Sequence, residues 1–149
     1  MERLPRRENL YANWGDYVIG DKTQNFISTG FRVCSGLILR DEMEEKFGLF
    51  HARPTQILDL KDVDLLKPFV GGKVILIEGT ETVHNPTILD MLKIQVGMEH
   101  IKTIFVDTNT TRRLQRSIRA FHISFNPMSD QISITRNNHN GQLTYSGFK

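Results

Sequence analysis

The run Lys73–Glu78, KVILIE, constrains the fold most. Four consecutive apolar residues between charged ends leave a strand without a polar side, so both of its faces must be covered by other parts of the chain. With 149 residues the chain can build one compact domain with a real core and is too short for two ordinary ones. The expected fold is therefore α/β of the α+β type: a single-domain layered sandwich with mixed or antiparallel sheets and two main helices.

The surrounding pattern supplies the layers. Residues 1–13 are polar and Arg-rich and read as a flexible N-terminal arm, with the domain proper over 14–149 and a first strand near Trp14–Ile19. Strand-like runs follow at Asn25–Phe31, Val33–Arg40 and Lys46–Ala52, the last two joined by DEMEE as an antiparallel hairpin. Asp59–Phe69 reads as a short amphipathic helix closing at Pro68 and Gly71-Gly72. Asn85-Pro86 gives an N-cap and a first-turn proline to a helix with Ile88, Leu89, Leu92 and Val96 on one face, ending at Gly97. Ile101–Asp107 is another strand, and Phe121, Ile123 and Phe125 alternate with polar residues before a turn and a strand at Gln131–Thr135. The tail RNNHNGQLTYSGFK carries Asn-Gly turn chemistry and reads as one more edge strand or a disordered end.

Several function classes drop out. A single cysteine rules out an intramolecular disulfide framework and suits a reducing cytosol. No apolar stretch has the length of a signal-peptide core or a membrane span, so the expected location is cytoplasmic without membrane insertion, with secretion of an effector through another signal as the alternative. The formal charge of +2 is small for a nucleic-acid binder, which argues against nucleic acid as a partner. No phosphate-binding glycine loop occurs. The histidines, His51, His84, His100, His122 and His139, form no zinc motif, so neither cofactor nor metal is expected.

Chemistry centres on Cys34, which lies seventeen positions before His51 on the expected hairpin. A thiol near its usual pKa is only a few per cent thiolate at neutral pH, and a neighbouring imidazole can draw off its proton. A third group should orient the ring. Ser28 is the first choice, being an even number of residues from Cys34 along an unbroken strand; Thr29 is the alternative.

In this stretch the chain resembles the bacterial chemoreceptor glutamine deamidases of the CheD family. Their dyad lies in a segment of the form T-x-G-x-G-S-C, strand, Asp, turn, G-G-x-x-H. Without gaps, Cys34 falls on the family cysteine, Ser28 on the threonine, Asp41 on the aspartate closing the strand, Gly48 on the second glycine and His51 on the histidine. The order of elements extends the resemblance over roughly residues 15–136. Arg32 and Val33 stand where the family has Gly-Ser, Phe47 replaces a glycine, and TNTTRR replaces a glycine-rich run. These bulkier side chains beside the nucleophile reshape the entrance, so the resemblance carries the chemistry further than it carries chemoreceptors as substrate.

What it implies is cysteine-dependent deamidation of a protein glutamine to glutamate and ammonia, with Cys34 as nucleophile, His51 as base and acid, and Ser28 or Thr29 as orienter. The implied partner is a protein bearing an exposed glutamine, with a regulatory protein as a further partner. Two other readings stay open. A protease or transglutaminase-like thiol hydrolase could use the same dyad. A scaffold without turnover could instead dock a protein or nucleic-acid partner through Arg112, Arg113, Arg116 and Arg119, three of which, 112, 116 and 119, share a face if helical.

Overall fold

The computed structural model describes residues 7–109, 119–137 and 141–149. It contains two five-stranded sheets and two short helices. The inner sheet has the order β2-β5-β4-β6-β7, formed by β2 (Tyr17–Asp21), β5 (Lys46–Ala52), β4 (Ser35–Arg40), β6 (Lys73–Gly79) and β7 (Glu99–Val106). The outer sheet has the order β1-β3-β8-β9-β10, from β1 (Glu8–Tyr11), β3 (Gln24–Phe31), β8 (Phe121–Asn126), β9 (Gln131–Arg136) and β10 (Gln142–Ser146). Pairing is antiparallel except for β1 with β3 and β6 with β7.

Three layers result, because the inner sheet is apolar on both faces. Every residue of β4 is buried, as are the four central residues of β6. One face contributes Ile38, Leu49, Ile75 and Ile77, which pack against Phe26, Phe31, Phe121, Ile123 and Phe125 of the outer sheet. The other contributes Leu37, Leu39, Phe50, Val74 and Leu76, covered by Leu66, Phe69, Ile88, Leu92 and Val96 from the helical layer. The α+β sandwich expected from KVILIE is the fold observed.

Helix α1 (Leu60–Leu65) opens with a capping box in which Asp59 and Asp62 each accept the other's backbone N–H. It stops before Pro68, whose missing N–H and ring cannot continue an α-helix, and a 3₁₀ turn, Lys67–Phe69, follows. Helix α2 (Pro86–Met91) is capped by the Asn85 side chain, which accepts from Ile88 N. Its last turn widens to π over Leu92–Val96, keeping both of those side chains buried, and ends at Gly97 with φ +87°.

Two expectations are corrected. The stretch read as a loose arm contains β1, which pairs with β3 in parallel, while residues 1–6 lie outside the described residues. The strand expected at Trp14–Ile19 begins at Tyr17, because the chain first turns through Trp14 and Gly15. The tail forms the edge strand β10. No helix among the described residues is long and apolar enough to cross a membrane.

Candidate active site

The site is built where the two sheets meet at the start of β4. His51 lies on β5 opposite Gly36 of β4, and on its other side its backbone N–H donates to Asp16 O at 2.9 Å while its carbonyl accepts from Gly15 N at 2.8 Å. Alternation along β5 sends Phe47, Leu49 and His51 to the inter-sheet face and Phe50 and Ala52 to the helical face. Cys34, the residue before β4, packs into the same inter-sheet core, but no hydrogen bond joins its sulfur to the His51 ring among the described residues. Both side chains are 1% exposed.

The opposite wall comes from β3. Phe31 stacks on the imidazole at 3.9 Å and 14°, and Phe121 backs Phe31 at 5.2 Å. Ser28 Oγ lies 2.8 Å from His51 Nδ1 and donates its own proton to Ala12 O at 2.6 Å. A hydroxyl has one proton, so Ser28 must accept from His51, which puts a hydrogen on Nδ1 and the lone pair on Nε2. His51 Nε2 is buried and has no hydrogen-bond partner among the described residues. Thr29 points to the outer face of the sandwich, beside Ile27 and His122, and does not reach the imidazole.

Ser28 and Cys34 share the interior through two compensating irregularities and not through an unbroken strand. Gly30, at φ +78°, opens a bulge between Ser28 and Phe31, so Phe31 is buried three residues after Ser28, and Cys34 is buried three residues after Phe31.

Cys34 Sγ accepts a hydrogen bond from Trp14 Nε1 at 3.0 Å, and the Arg53 guanidinium lies over the indole at 4.9 Å. Neither residue was visible as a site residue in the sequence: Trp14 is twenty positions from Cys34 and meets Arg53 only once β2 is known to pair with β5. Burial pushes the Cys34 thiol above its ordinary pKa, against the smaller opposing effects of the Trp14 N–H and the Arg53 charge. Burial also lowers His51 to about 4. Burial thus favours neutral thiol and neutral imidazole at rest, against the raised thiolate fraction expected from sequence, because desolvation disfavours both charged forms.

No family model matches the chain, and no curated protein matches it.

The remaining sequence candidates sit elsewhere. Asp41 holds the β4–β5 turn, its Oδ1 accepting from Glu45 N at 2.7 Å and Lys46 N at 2.9 Å. Arg119 donates to Asn109 Oδ1 at 3.0 Å and lies 3.7 Å from Glu81; Arg112, Arg113 and Arg116 lie outside the described residues. Among the described residues no group of three His, Cys, Asp or Glu side chains could hold a metal ion. The segment between β6 and α2 runs beside Cys34, with Val83 N donating to Val33 O at 2.9 Å and Glu78 accepting from His84 at 2.8 Å.

The His51 environment predicts a pH dependence of stability. Below 6.5 the unfolded chain takes up a proton that the folded chain refuses until about 4, so stability is full above 6.5 and falls as pH drops towards 4. That gap corresponds to roughly 3 kcal/mol. Urea midpoints measured from pH 7.5 to 4 should decline less steeply in His51→Gln than in the parent chain.

Proposed function

We propose that the protein is a cysteine-dependent hydrolase of the glutamine side-chain amide, a divergent relative of the CheD deamidases acting on an exposed glutamine of another protein. The observation that carries this reading is the Ser28–His51 hydrogen bond, which leaves an unprotonated, unpartnered Nε2 in the same buried layer as the only thiol. A structural histidine in a core normally satisfies both ring nitrogens.

In this mechanism Nε2 takes the Cys34 proton as the sulfur attacks the amide carbon, so that charge separates only when substrate is in place. The low proton affinity of His51 makes the imidazolium a strong acid, suited to protonating the departing ammonia. The imidazole then activates a water molecule, which hydrolyses the thioester and leaves glutamate. The Trp14 N–H and the Arg53 charge favour thiolate over thiol, which lowers the cost of the first proton transfer.

Ser28 holds the ring in the useful tautomer. Ser28→Ala should lower the rate of ammonia release from a glutamine-bearing protein mixture by roughly a hundredfold. Ser28→Thr should retain most of the rate, since it keeps the hydroxyl, and Thr29→Ala should leave the rate unchanged. Equal losses at Ser28 and Thr29 would remove the orienting role from Ser28.

A further inference from the structure

The enclosure of Cys34 is uneven, and the unevenness suggests how it opens. With 1% exposure, the sulfur has no surface from which an amide carbon could approach. Most of its surroundings are core: Cys34 belongs to the inter-sheet cluster with Phe31 and Phe121 of the outer sheet, and the segment between β6 and α2 donates from Thr82 Oγ1 to Cys34 O at 3.4 Å. That segment is anchored through Val83 N to Val33 O and through the Asn85 side chain to Arg53 O and Gln56 O, each of these two at 2.9 Å. Displacing it would break several hydrogen bonds and uncap α2.

The side towards Trp14 differs. Trp14 donates to Sγ, yet the residue is 64% exposed, so its ring lies outside the thiol and contributes little to the core. One hydrogen bond and the Arg53 stack hold it. The backbone on either side is fixed, Ala12 N donating to Ile27 O at 2.9 Å and Gly15 N to His51 O at 2.8 Å, so side-chain rotation alone can move the indole. Gly15 makes the stack feasible, since a Cβ there would meet Arg53 Nε at 2.8 Å.

We propose that Trp14 is a removable cap on Cys34, covering and hydrogen-bonding the resting thiol and swinging aside when a glutamine-bearing segment enters. This deepens the hydrolase reading and rests on it only for the identity of what displaces the ring. The cap suits a buried nucleophile. It protects the sole thiol from adventitious electrophiles and frees the Arg53 cation at the mouth as the site opens.

The test is the pH–rate profile of Cys34 alkylation by iodoacetamide in the full chain, compared with Trp14→Ala, Trp14→Phe and Arg53→Ala. The high-pH plateau reports access, and the inflection reports thiolate stabilisation. Trp14→Ala should raise the plateau about tenfold or more, and Arg53→Ala, which loosens the ring without removing it, severalfold. Trp14→Phe should keep the plateau within about twofold and move the inflection to higher pH, because it retains the cover and loses the donor. Plateaus within about twofold of the parent in both Trp14→Ala and Arg53→Ala would overturn the cap. Ammonia release measured on the same samples separates the two claims. Faster alkylation with no ammonia from any sample would sink the hydrolase and spare the cap, whereas ammonia release with unchanged alkylation would sink the cap alone.

Discussion

Ammonia release from glutamine-bearing proteins is expected to fall by about ten-thousandfold in Cys34→Ser and by a similar factor in His51→Gln, with the double variant no slower than either single change. The non-additivity follows from the arrangement. A thiol whose proton affinity is raised by burial ionises less readily unaided, and a base with no thiol has nothing to activate. Each residue is useless without the other, so removing the second costs nothing further. His51→Gln suits this comparison because the amide fills part of the imidazole volume and can bond to Ser28. Mass spectrometry that locates the glutamine-to-glutamate change would assign the loss to side-chain hydrolysis and not to peptide cleavage. If the double variant were far slower than both singles, the two side chains would be acting independently and the dyad would be wrong.

Phe31→Ala should destabilise the fold by roughly 3–5 kcal/mol, read as a shift in the urea midpoint. Phe31 is fully buried between His51 and Phe121, so its loss leaves a cavity in the middle of the inter-sheet layer where neighbouring strands are hydrogen-bonded and cannot collapse. The same substitution should slow turnover in the fraction that stays folded, because the ring that fixes the plane of the imidazole is gone. Phe105→Ala on the edge strand β7 is the control. That residue is 62% exposed, and its removal should change stability by less than about 0.5 kcal/mol. Comparable losses at the two positions would mean that the layer around His51 is loosely packed.

The layered fold was legible because its strongest local signals agree with its tertiary environment. KVILIE has no polar side and lies where neither face meets water; Asn85-Pro86 starts α2 where a cap and a first-turn proline belong. The β4–β5 hairpin was readable for a similar reason, since Asp41 supplies its own turn hydrogen bonds. What escaped depended on partners far along the chain. ENLY carries little strand propensity and becomes β1 only because β3 offers a parallel edge. Within the site, Cys34, His51 and Ser28 were singled out from residue chemistry and spacing, although the face shared by Ser28 and Cys34 arises from a bulge that parity counting could not anticipate. Trp14 and Arg53 carry no local motif. The preference of both groups for their neutral forms was also hidden, because sequence names only the candidate acid and base while burial sets their proton affinities.

The most direct measurement is to incubate the full chain with a peptide whose glutamine amide is replaced by a chloromethyl ketone, and to locate the adduct by mass spectrometry. The account predicts one adduct, on Cys34, formed in the parent chain and lost in His51→Gln and Ser28→Ala. A parent chain that stays unmodified while its Cys34 alkylates readily after unfolding would contradict it, as would an adduct formed equally well in all three proteins.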